Sequence, residues 1–151
     1  MPHLVILYTP DLDRPVSQGG SDMTALCRAL ASAMRQQVDE VGRPVFPTGG
    51  IRVLAYPAAH HAVADDGEAQ PAGGVAPDYG FAYLNLRMGR GRSAAAHQAV
   101  GQALSAVAQA HFAPLLPLRP IGVTLQIDEG PEVFDAKHSS LHPLFNKPAQ
   151  G

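Results

Sequence analysis

Apolar positions follow two rhythms along this chain. From His3 to Tyr8 they form a short, branched run, too short for a helix, which reads as a buried strand. Thr9 to Gly20 holds two Pro, two Asp and two Gly and reads as a loop. Ser21 or Asp22 then offers a helix cap. Met23, Leu26, Cys27, Leu30, Met34, Val38 and Val41 recur at spacings of three and four or their sums, which predicts one amphipathic helix stopped by Gly42 and Pro44. Ile51 to Tyr56 is a second strand. Pro57 to Asp78 is polar, with three Pro, three Gly and four acidic residues, and reads as a long surface loop. Tyr79 to Met88 alternates as a third strand, with Gly80, Ala82, Leu84, Leu86 and Met88 on one face. Gly89 to Arg92 breaks it and Ser93 caps the next helix. Val100, Leu104, Val107, Ala108 and Phe112 give that helix its apolar face. After a connection over Pro114 to Pro120, Ile121 to Ile127 is the fourth strand.

The order is strand–helix–strand, twice. It predicts an α+β fold in a single domain, with pseudo-repeats over about 2–56 and 79–128, a loop at 57–78 and a tail at 129–151. Each half forms a parallel βαβ unit. Side by side they make a four-stranded sheet with both helices on one face. The other face is left bare and calls for a partner, which closing three such sheets around an axis would supply. The tail holds Val133-Phe134 and Leu144-Phe145 as its only apolar anchors.

Composition narrows the function. The chain has 151 residues, 46% hydrophobic and 16% charged, with net charge −2 and no basic run. Nothing here favours nucleic acid or an acidic membrane surface. No apolar stretch approaches the ~20 residues of a membrane span, and the start has no signal-peptide pattern, so a cytoplasmic protein is expected. Cys27 is the single cysteine, which excludes a disulfide framework and a thiolate metal cluster. It reads, with Met34, as core. His60-His61 and Asp65-Asp66 lack a closing ligand and read as solvated loop, so no metal is expected.

Chemistry enters at the amino end. A small second residue permits removal of Met1, leaving Pro2 with a free secondary amine at the head of a strand. A free α-amino group titrates near ~7.7–8.0, and nearby cations favour its neutral form, which suits a general base. Taken alone, Arg52 reads as a surface or interface residue. Arg90 and Arg92 precede a helix N-terminus that suits an anion. His3 reads as structural, and His111 fits its helix C-terminus. No Ser-His-Asp order, carboxylate pair or phosphate loop stands out.

Pro2-His3, Gly50-Ile51-Arg52, Asp78-Tyr79-Gly80-Phe81-Ala82, Gly89-Arg90-Gly91-Arg92-Ser93, Ala110-His111-Phe112 and Leu141-His142-Pro143-Leu144-Phe145 occur in that order. In them the chain resembles the 5-carboxymethyl-2-hydroxymuconate isomerase family of the tautomerase superfamily, departing from it in the 57–78 insertion and a few extra terminal residues. The resemblance implies a tautomerase-like homotrimer without cofactor. It implies ketonisation of a dienol carboxylate from ring cleavage of homoprotocatechuate, in the catabolism of aromatic compounds. Pro2 would be the base, Arg52 would hold a carboxylate or steady the enolate, and Arg92 and Arg90 would contact substrate. A tautomerase for another 2-hydroxydienoate and a non-catalytic oligomeric binding protein on the same fold remain as alternatives.

Overall fold

The computed structural model describes residues 2–66, 68, 78–130 and 132–145. Most of the 57–78 insertion beyond Asp66, and the chain after Phe145, lie outside them.

Four strands, β1 (His3–Tyr8), β2 (Arg52–Pro57), β3 (Gly80–Gly89) and β4 (Ile121–Gly130), form one sheet in the order β2-β1-β3-β4. β1 pairs parallel with β2, and β3 with β4, while β1 and β3 meet antiparallel at the centre. Two parallel βαβ units therefore lie side by side, as the strand–helix–strand order implies. Helices α1 (Met23–Arg35) and α2 (Ala94–Phe112) pack on each other and on the same sheet face.

Alternation along the strands builds the core. Leu4, Ile6 and Tyr8 of β1 and Ala82, Leu84, Leu86 and Met88 of β3 are buried. They meet Leu26, Leu30 and Met34 of α1 and Val100, Leu104 and Phe112 of α2. Burying each large side chain contributes roughly 1.5–3 kcal/mol. The opposite face carries Leu7, Leu54 and Tyr56, 46%, 43% and 50% exposed, with half-buried Phe81 and Tyr83 beside them.

Side chains set the helix starts. The Asp22 carboxylate accepts the Ala25 N–H at 2.8 Å, and the Ser93 hydroxyl accepts the Ala96 N–H at 3.0 Å. α1 ends sooner than its apolar spacing predicts. It stops at Arg35, and Val38 and Val41 are 54% and 71% exposed. Asp39 is the cause. Its carboxylate accepts the N–H groups of Val41 and Arg43, and its own N–H donates to Arg43 O at 2.8 Å. Gly42, at φ +79°, completes this tight turn, and Val38 bridges to Pro44. A short acidic side chain here offers the backbone a better partner than another helical turn.

The far end of the insertion is pinned. Arg119, almost wholly buried, pairs with Asp11 and with Asp78 at 3.2 Å, and donates to Asp78 O. In the tail, a single turn, α3 (His142–Phe145), lies against the turn before β2. Val133 and Phe134 are fully and mostly exposed on the single chain.

Candidate active site at the head of the sheet

β1 and β2 begin, and β3 finishes, at one end of the sheet. The antiparallel register that sets His3 opposite Arg87 brings the start of β1 beside Met88 and Gly89. Pro2 is buried there and continues the inward series of Leu4 and Ile6.

A tight turn over Thr48–Gly50 leads into β2, held by Gly50 N–H to Pro47 O at 2.8 Å. Other groups come close to both glycines of this turn, closest to Gly49. A Cβ on Gly50 would lie 3.6 Å from Pro2 Cδ and 3.7 Å from His142 Nε2. A Cβ on Gly49 would lie 3.0 Å from His142 Cα and 3.3 Å from a Phe145 ring carbon. Pro2, the turn and the tail helix thus converge on one small region.

Arg52 braces the same turn. Its Nη1 donates to Gly49 O at 3.0 Å and to Ile51 O at 2.7 Å. Its β-strand register makes it the neighbour of His3 on the uncovered face. Burial pushes the His3 imidazole below its ordinary pKa, and the positive charges of Arg52 and Arg87 add to that, against Asp135.

Arg92 stands at the end of β3. It donates to Gly89 O at 2.8 Å and to Val45 O at 3.0 Å, with its guanidinium 5.8 Å from the centre of the Phe46 ring. Most of its donors therefore hold backbone. Arg90 is exposed and shares with Arg92 a cavity of about 520 Å³ lined also by Asp39, Glu40 and Arg43. That cavity includes neither Pro2 nor Arg52. The structure brings Pro2 and Arg52 to one turn, sets Arg92 at the adjoining strand end, and leaves Arg90 outside.

His142 enters the site from the tail, and sequence reasoning gave it no role. Its signal was faint, a single His within Leu141-His142-Pro143-Leu144-Phe145. His111 is elsewhere, its Nε2 3.1 Å from Ser21 Oγ at the far end of α2. His60 and His61 are exposed, and among the described residues no three His, Cys, Asp or Glu side chains converge as metal ligands.

The model of the family described as 5-carboxymethyl-2-hydroxymuconate isomerase matches residues 2–145. The chain is similar to a crystal structure of a 5-carboxymethyl-2-hydroxymuconate delta-isomerase, at 57% identity over 98% of this chain and 95% of that one, with a TM-score of 0.88. It is similar to a 5-carboxymethyl-2-hydroxymuconate isomerase from Deinococcus radiodurans R1, at 31% identity over 97% and 95% of the two chains, with a TM-score of 0.74. A 5-carboxymethyl-2-hydroxymuconate Delta-isomerase of Escherichia coli is 28% identical over 101 residues, 67% of this chain and 73% of that protein.

Proposed function

The chain belongs to the 5-carboxymethyl-2-hydroxymuconate isomerase family, and we propose that it ketonises 5-carboxymethyl-2-hydroxymuconate through an amino-terminal Pro2. The observation that carries this reading is the burial of Pro2 against Gly50, on the turn that Arg52 grips.

The reaction moves one proton. Once Met1 is removed, the Pro2 nitrogen accepts the proton of the 2-hydroxyl. The oxygen electrons form the C2 carbonyl, the C2–C3 double bond moves to C3–C4, and the C4–C5 pair takes a proton from the Pro2 ammonium at C5. The amine is regenerated and no redox partner is needed. One group of near-neutral pKa serves both halves. The positive charge of Arg52 on the same turn disfavours the ammonium and keeps the amine available. Guanidinium groups match carboxylates two-pronged, so Arg52 is assigned to a substrate carboxylate or the developing enolate, and Arg92 to a second carboxylate. Arg90 is assigned an outer contact only.

The bare sheet face, with Leu7, Leu54 and Tyr56, supports an oligomer, read as a trimer. No described helix is long and apolar enough to cross a membrane, and the enzyme is assigned to the cytoplasm.

The test is turnover of 5-carboxymethyl-2-hydroxymuconate, followed by ultraviolet absorbance, on protein shown by mass to lack Met1. Ketonisation well above the spontaneous rate, abolished by blocking the Pro2 amine, is expected. No acceleration by correctly processed protein would retire this substrate and leave another 2-hydroxydienoate or a binding role.

A further inference from the structure

We propose that His142 contacts the substrate, donating its Nε2–H to a carboxylate oxygen of the bound 5-carboxymethyl-2-hydroxymuconate over Gly50. This rests on the reading of Pro2 as the centre of the site.

Two independent observations support it. The first is position. A Cβ on Gly50 would touch Pro47 Cγ at 3.4 Å, Pro2 Cδ at 3.6 Å and His142 Nε2 at 3.7 Å, so the Pro2 ring and the imidazole both come within contact distance of one point over this residue. Gly49 adds a matching constraint, since a Cβ there would press on the His142 α-carbon at 3.0 Å and the α3 backbone would have to give way. The turn is cut to let this particular residue approach.

The second is the proton inventory of the ring. Ser139 Oγ accepts the N–H groups of Leu141 at 3.1 Å and His142 at 3.4 Å. A hydroxyl has two lone pairs and one proton. With both lone pairs engaged, its proton goes to His142 Nδ1, 2.8 Å away. Nδ1 is then an acceptor, and the neutral ring carries its proton on Nε2, the atom facing Gly50. No protein acceptor for Nε2 appears among the described contacts. An N–H donor aimed at the Pro2 side of the turn suits an anionic oxygen.

The variants are His142→Phe, which keeps a ring without the donor, and His142→Gln, whose amide nitrogen reaches nearly the same point. Each is assayed for kcat/KM on protein lacking Met1. A second readout, independent of turnover, is the protection of the Pro2 amine from alkylation by bromopyruvate, titrated with cis,cis-muconate and read by mass. A hydrogen bond to a charged group is worth about 1.5–3 kcal/mol, or about 10- to 150-fold. His142→Phe is expected to lower kcat/KM and weaken muconate protection at least tenfold, with Pro2 still alkylated at the wild-type rate. His142→Gln is expected to recover most of the loss.

His142→Phe within twofold of wild type in both readouts would overturn the proposal. So would a loss that His142→Gln fails to recover, because that outcome means packing. If wild type shows no turnover yet muconate protects Pro2, and His142→Phe weakens protection, the substrate reading fails and His142 stands. If muconate does not protect even wild-type Pro2, the dicarboxylate site and His142 fall together.

Discussion

Gly49 and His111 show what single residues do here. Alanine at position 49 sets a Cβ 3.0 Å from the α-carbon of His142, where backbone must yield. Gly49→Ala is expected to loosen α3 from its seat. Amide hydrogen exchange over Leu141 to Phe145 should speed up while the β1 amides stay protected. Gly50→Ala meets only ordinary contact distances, so its fold should survive. His111 is set by burial, which pushes its imidazole below the ordinary value near 6.5, with Asp22 opposing. Its folded pKa lies below its unfolded one. Its contribution to stability is therefore full above pH ~6.5 and is lost as pH falls through the folded value. His111→Gln should flatten the fall in melting temperature between pH 7 and pH 5. A residual slope should remain from His3, whose pKa is shifted the same way. The sequence made Pro2 visible because a small second residue there precedes a strand, and Arg52 through the Gly50-Ile51-Arg52 motif of the family resemblance. It hid His142, because nothing in a local pattern says that residue 142 folds back onto residue 50.

At the scale of elements, both helix starts and all four strands were legible, because caps and alternation are local. The errors fall where a local polar contact overrides apolar spacing. Val38 and Val41 sit in helical phase with Met34, yet Asp39 turns the chain before they can use it. β4 runs on to Gly130, past its last apolar residue, because Asp128, Glu129 and Gly130 pair with Arg87, Met88 and Gly89. Hydrophobic alternation carries no trace of that pairing. The caps themselves are testable. Ser93 holds the Ala96 N–H and also donates to Glu40. Ser93→Ala is expected to cost about 1 kcal/mol, read as a shift in the urea midpoint with the slope unchanged.

For the whole molecule the decisive feature is the asymmetry of the sheet faces. One is sealed by α1 and α2. The other leaves Leu7, Leu54 and Tyr56 side by side and about half exposed. The trimer reading predicts sedimentation at three times the chain mass. Leu54→Glu with Tyr56→Glu is expected to shift that toward monomer while leaving the helical circular dichroism in place. Sedimentation of the unaltered protein as a monomer would sink it.

The antiparallel seam between β1 and β3 has a consequence for the number of reaction centres. Matched strand for strand and face for face, the outward pair His3–Arg52 of the first half corresponds to Phe81–Gly122 of the second. Gly80 then stands where Pro2 stands. The nitrogen of Gly80 is a peptide amide, already donating to Pro120 O at 2.9 Å. An amide has no basic lone pair. Under the proposed reading, removal of Met1 gives Pro2 a basic amine for which the Gly80 end of the sheet has no counterpart.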